Sequence, residues 1–184
     1  MSRNVKGTLF VDYVRTLRAR RQIGWGRHLE PRDLVYLSER IEPDRWYPME
    51  TFERFGLAIL EVIARSDLDL VRQFGRWSID GLCAVHPTLL APGDPSETLM
   101  RFRVLRQSFF DFEALVIDEV YDGEASATVS YGMSPRAEEA ATWQTVGFFE
   151  RLLEMSGATA VDVRIAVAAW QDDLPTTITM AWEM

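Results

Sequence analysis

The 184-residue chain has one cysteine, Cys83, and two histidines, His28 and His86. A lone thiol leaves no intramolecular disulfide and no multi-cysteine metal cluster, and it suits a reducing compartment. Two imidazoles cannot build a three-histidine metal site. Long apolar runs are missing as well. No stretch reaches the roughly 18 uninterrupted apolar residues of a membrane span, and the N-terminus lacks a signal-peptide hydrophobic region. These absences predict a cytoplasmic protein with no membrane partner. Basic residues are scarce in the second half: residues 107–184 carry 3 Lys+Arg against 14 Asp+Glu, whereas residues 1–106 carry 17 against 14. So acidic a surface repels a phosphate backbone, which argues against a nucleic-acid partner. The N-terminal basic excess gathers in Arg15, Arg18, Arg20, Arg21 and Arg27, either a solvated helix face or a surface for an acidic partner. P-loop, dinucleotide Gly fingerprint, zinc-protease pair and nucleophile elbow are all absent, so no catalytic residue, metal set or cofactor is assigned from motifs.

What is present describes one globular unit of ordinary soluble composition, 47% hydrophobic and 26% charged. Helical periodicity runs through residues 8–21, with Leu9, Val14 and Leu17 beside Phe10 and Tyr13, and Gly24 and Gly26 follow it. A short helix is predicted from Pro31 and ends before Pro43. Helices are also predicted over 48–65, over 67–85 with Leu70, Phe74, Trp77, Ile79 and Leu82, and over 95–109, where Asp94 followed by Pro95 makes a cap. After Phe110 the period changes from 3.6 to 2. Residues 112–121 and 124–131 flank Asp122-Gly123, a strong hairpin signal. A helix over 136–156 stops at Gly157, and strands over 161–169 and 176–183 flank an Asp172-Asp173 turn. The sum is an α+β fold with an all-helical lobe over 1–110 and a ββαββ lobe with one antiparallel sheet over 111–184, together a single domain.

Several residues invite a chemical reading and a plainer one. Gly75, isolated within a helix, suits close helix packing better than phosphate binding. Cys83 and His86 share a helix face, but a metal needs further ligands, so capping or packing is favoured. Asp118-Glu119, Glu138-Glu139 and Asp172-Asp173 are adjacent in sequence, and neighbours on a strand point to opposite faces, which does not make a catalytic dyad. The six tryptophans suit a core, though an apolar pocket would use the same residues.

The opening VKGTLFVDYVRTLR (5–18), the helix VRQFGRWSIDGLCAVHPTLL (71–90), and the ending from YGMSPR (131–136) through GFFERLLEMSG (147–157) resemble the heme-dependent nitric-oxide-binding (H-NOX) sensor family. Trp46-Tyr47-Pro48 and Gly75-Arg76 are similar to a myxobacterial paralogous family of that kind, and related vinyl-reductase-type ligand-binding domains share the same flavour of fold. The resemblance implies a regulatory, non-catalytic module that uses a histidine on the helix before the hairpin to ligate iron and a Tyr-x-Ser-x-Arg motif to hold heme propionates. Here that histidine position falls near Leu105 or Arg106, and no histidine follows residue 86. Neither leucine nor guanidinium replaces a neutral imidazole. Tyr131, Ser134 and Arg136 occur in order but spaced Tyr-x-x-Ser-x-Arg, and one extra residue on a strand reverses the face unless a bulge absorbs it. The expectation is therefore a sensor-like module without heme ligation. It binds a small molecule or a signalling protein partner, the small molecule, apolar or anionic, in a cleft between the lobes, with Arg106, Tyr131, Ser134 and Arg136 as ligand-binding residues. The competing reading fills that cleft with Phe, Trp and Leu and makes the protein a homodimeric adaptor whose surface is the aromatic-rich helix 136–156.

Overall fold

A computed structural model describes residues 3–171 and 174–184, so the expected Asp172-Asp173 turn lies outside the described residues. The chain divides into two compact units. One holds the chain through Asp67 together with Ser108–Phe112, and the other holds Leu68–Gln107 and Glu113–Met184. The change of periodicity near residue 110 and the division in space are thus different boundaries.

The first unit is not all helical, which corrects the sequence reading. Strand β1 (Asn4–Lys6) pairs antiparallel with β2 (Trp46–Pro48), Val5 opposite Tyr47. Three-residue strands are too short for a period of two to register, and their pairing is decided by residues some forty positions apart. Helix α1 (Gly7–Arg18) starts immediately after β1. The Gly7 amide donates to the Arg45 carbonyl at 2.8 Å, and a Cβ at Gly7 would collide with the Glu42 carbonyl, which is why glycine is required there. From α1, Phe10 stacks on Tyr47 with ring centroids 4.5 Å apart, and Tyr36, Phe52 and Phe55 close the cluster. The short α2 (Pro31–Leu34) is tied to α3 (Met49–Ala58) through the fully buried Asp33, which accepts from Arg54 Nε at 2.6 Å and from Thr51 Oγ1 at 2.9 Å. After α3 comes a π-helical turn at Ile59–Ile63, and the chain then leaves with Arg65 and Ser66 in the left-handed region.

The second unit contains α4 (Leu68–Val85), α5 (Pro95–Leu105), β3 (Leu115–Tyr121), β4 (Glu124–Val129), α6 (Pro135–Met155), β5 (Thr159–Val167) and β6 (Thr176–Glu183). The sheet runs β3-β4-β6-β5 and every neighbouring pair is antiparallel, the ββαββ arrangement expected of an α+β fold. Asp94 caps α5 by accepting from the Glu97 amide at 2.8 Å, with Pro95 in the first turn. Gly123 takes a φ of +83° in the two-residue hairpin loop. Asp118 and Glu119 sit at a register shift between Ile117 and Val120, so both are exposed rather than alternating in and out. Ile117, Ala127, Val129, Ile178 and Met180 form the buried side of the sheet.

Helix α6 packs against α4 and β5, and Val146, Phe149, Leu152 and Leu153 are fully buried. Its apolar side is already covered within the unit, which corrects the expectation that this helix is the dimer surface. On α4 the inward residues are Val71, Gly75, Ile79 and Leu82, while Trp77 is 60% exposed. Apolar residues spread over more than half of the α4 circumference, so periodicity alone does not say which of them face inward.

Candidate functional site

The best-defined polar centre is the corner where β4 leaves the sheet and α6 begins. Tyr131 lies two residues beyond the end of β4, and its ring is buried. Its hydroxyl shares a 2.6 Å hydrogen bond with Thr145 Oγ1 on α6, and Thr145 Oγ1 also donates to the Ala141 carbonyl at 2.8 Å. Burial pushes the Tyr131 phenol up to about 12; the Thr145 hydrogen bond opposes that rise and the Glu138 carboxylate adds to it. The phenol is therefore neutral at ordinary pH.

Glu138, in the first turn of α6 and only 6% exposed, reaches back across this corner. One carboxylate oxygen accepts from the Tyr131 amide at 2.7 Å and the other from the Met133 amide at 2.9 Å. Both oxygens of a buried carboxylate are thus satisfied by backbone, and the anion lies at the helix N-terminus, where the macrodipole favours it. Its place in a Glu-Glu pair pointed only away from a catalytic dyad. The available signal was an acid in the first turn after a Ser-Pro helix start.

Arg106 follows the last residue of α5, and its Nη1 donates to the Leu115 carbonyl at the start of β3. The register partner of Leu115 is Val129, two residues before Tyr131, so Arg106 and Tyr131 come to the same end of the β3–β4 hairpin. Arg106 Nε is buried with no acceptor among the described residues. Burial lowers the Arg106 pKa; Glu113 opposes this, Arg103 reinforces it and Asp118 opposes it. Ser134 is the N-cap residue of α6, and both Ser134 and Arg136 are exposed, on the opposite extreme of burial from Tyr131. The extra residue in the Tyr-x-x-Ser-x-Arg spacing thus coincides with one inward and two outward members.

The donors do not fit the heme ligation that the resemblance implies. Helix α5 contains no imidazole, thiol or phenol. His28 lies in the turn after Trp25 of the first unit and His86 just past the end of α4. Among the described residues no group of three or more His, Cys, Asp and Glu is placed to hold a metal ion. The Tyr131 hydroxyl and the amides of residues 131 and 133 are already engaged by Thr145 and Glu138.

A mainly helical unit and a unit carrying a ββαββ sheet of this order define an α+β architecture, and the solved structures it resembles give that architecture a name. The chain has the H-NOX fold. It is similar to a single-substitution variant of T. tengcongensis H-NOX, with a TM-score of 0.64 at 14% identity over 97% of this chain and 98% of that one. A variant of S. oneidensis H-NOX in the Fe(II) ligation state gives 0.67 at 13% over 97% and 96%. An oxygen-binding H-NOX domain related to soluble guanylate cyclases gives 0.63 at 14% over 97% and 95%. No family model and no curated protein matches the sequence.

Proposed function

We propose that the protein is a non-catalytic regulatory module of H-NOX fold, cytoplasmic and acting as one domain, that binds a small molecule or a signalling protein without heme ligation. The observation that carries this reading is the Tyr131–Glu138 corner. Where the resemblance assigns residues to heme propionates, this chain supplies its own carboxylate at 2.7 and 2.9 Å from two amides. An internal anion with both oxygens paired competes against an external one, and α5 carries no imidazole for an axial bond. Arg106 supports the ligand half of the reading, because a buried Nε without an acceptor is a donor position for an anionic or carbonyl ligand. Tyr131 bounds that end of the hairpin, and Ser134 and Arg136 stand at its exposed rim. No helix among the described residues is long and apolar enough to cross a membrane.

Two measurements test this. Hemin reconstitution is expected to give no Soret band at one heme per chain; a stoichiometric band abolished by His86→Ala overturns the heme-free reading. Native mass spectrometry of the purified protein is expected to show a co-purifying small molecule that Arg106→Ala releases. A bare chain mass insensitive to Arg106 favours the second reading, an adaptor that works through protein contacts alone. The exposure of Ser134 and Arg136 is the observation on that side.

A further inference from the structure

Between Asp12 and Glu30 the chain carries Arg15, Arg18, Arg20, Arg21 and Arg27 and no acidic residue, although it holds 28 Asp+Glu against 20 Lys+Arg overall. The fold uses two of these arginines. Arg15 lies 3.5 Å from Asp12 on α1, and Arg18 donates to the Leu37 and Tyr36 carbonyls at 3.0 and 2.9 Å. Arg20, Arg21 and Arg27 form no ion pair among the described residues, and Arg20 Nη1 meets the Thr16 carbonyl at 3.5 Å. The exposed Arg32, Arg40 and Arg164, by contrast, each lie against a carboxylate, at 2.7, 3.1 and 2.7 Å. Local structure gathers the three unpaired cations. Two one-turn helices, Arg21–Ile23 and Trp25–Arg27, meet at Gly24, whose φ of +65° lets the chain turn. The Gly24 amide donates to the Arg21 carbonyl at 3.5 Å, and its carbonyl accepts from the Arg27 amide at 3.3 Å. Trp25 is buried and its indole N–H donates to the Leu17 carbonyl at 2.9 Å, which pins this turn to the end of α1. Arg21, Gly24 and Arg27 are exposed and Arg20 is half-buried.

We propose that this turn is a docking surface for a carboxylate-rich segment of another protein, whose Asp and Glu side chains pair with the Arg20, Arg21 and Arg27 guanidinium groups. A planar guanidinium matches a carboxylate in fork geometry, and an incoming anion relieves the mutual repulsion of clustered cations. Two other polyanions fit less well. An anionic bilayer needs a second, apolar anchor for stable binding, and here Trp25 is turned inward and Ile23 is half-buried. A nucleic acid finds few cations for its phosphates on this turn, and the net charge of -8 opposes an extended polyanion. A short acidic segment needs the turn alone. The inference stands on these residues and holds whether or not a small molecule binds elsewhere on the chain.

Fluorescence anisotropy of a short labelled Glu-rich peptide titrated with the full chain at low salt tests this. The peptide is expected to bind, to weaken roughly tenfold as salt screens the charges, and to lose binding when its Glu residues are replaced by Gln. The combined Arg20→Gln, Arg21→Gln and Arg27→Gln variant is expected to weaken binding roughly tenfold or more, with the circular dichroism spectrum unchanged. A second variant with the same net charge, combining Arg32→Gln, Arg40→Gln and Arg164→Gln, is expected to stay within about twofold of the parent, since those arginines already have partners. Absence of binding overturns the proposal, as does equal weakening by the two variants, which makes the effect one of net charge. Tighter binding of phosphatidylserine vesicles or duplex DNA through the same three arginines also overturns it, because the turn then serves a phosphate surface. Salt-sensitive self-association in sedimentation velocity that the first variant abolishes overturns it as well, a second copy of this acidic chain then being the occupant.

Discussion

Gly75 of α4 and Gly147 of α6 are reciprocal contact points between the two helices. A Cβ on Gly75 would collide with the Gln144 carbonyl and lie 3.0 Å from the Phe148 amide nitrogen, and a Cβ on Gly147 would collide with the Arg72 carbonyl. Each helix therefore lays a backbone segment into the gap left by the other's glycine. This close approach also brings Arg72 and Arg76 of α4 onto the buried Glu150 of α6, Arg72 Nε at 3.0 Å and Arg76 Nη1 at 3.2 Å.

Gly75→Ala is expected to destabilise the protein by about 2 kcal/mol or more, because the methyl group must displace backbone rather than a flexible side chain. Gly81→Ala, in the same helix but facing open space, is expected to stabilise it by about 0.5–1 kcal/mol. Urea denaturation of the two variants checks the opposite signs.

Removing the Glu138 carboxylate leaves the Tyr131 and Met133 amides without their acceptor. Glu138→Ala is expected to cost about 2–4 kcal/mol, and Glu138→Gln less, since its single amide oxygen still serves one of the two donors. Faster hydrogen exchange at residues 131 and 133, ahead of global unfolding, is the specific signature.

The Asp33 carboxyl is pushed up by burial, but hydrogen bonds from Arg54 and Thr51 and the Arg54 charge outweigh that, leaving its pKa below the ordinary carboxylate range. A folded-state value lower than the unfolded one means the stabilisation is fully present above about pH 4 and is lost as pH falls through the lower folded value. Acid denaturation of the Asp33→Asn variant is expected to begin from a lower stability and to show a shallower loss over that window.

Tyr131 works at the other end of the scale. Its folded-state value of about 12 lies above the unfolded phenol value near 10. The neutral phenol therefore stabilises the fold below about pH 10, and that contribution declines as pH rises from 10 through 12. Tyr131→Phe loses the Thr145 hydrogen bond, at about 1 kcal/mol, and is expected to flatten the alkaline limb of the stability profile.

The elements of the second unit were legible in the sequence because each is written locally. A cap at Asp94, a turn at Asp122-Gly123 and a change of period after Phe110 need no distant partner to be read. The 176–183 strand is found over the residues expected of it, and the helix expected over 136–156 is found at Pro135–Met155. The β1–β2 ribbon was not legible, since its pairing depends on the Gly7 approach to the 42–45 segment rather than on any pattern within three residues.

The site divides the same way. The sequence by itself determined which chemistry is missing: no histidine follows residue 86, and no spacing of nucleophile and base appears. It also nominated Arg106, Tyr131, Ser134 and Arg136. Only the tertiary structure decided that Tyr131 is buried while Ser134 and Arg136 are exposed, that Glu138 returns to pair the amides of Tyr131 and Met133, and that Trp77 stands outside the core. Residue type and period carry a side chain's chemistry and its phase along an element, but which phase is covered is set by the elements packed beside it, and those come from remote parts of the chain.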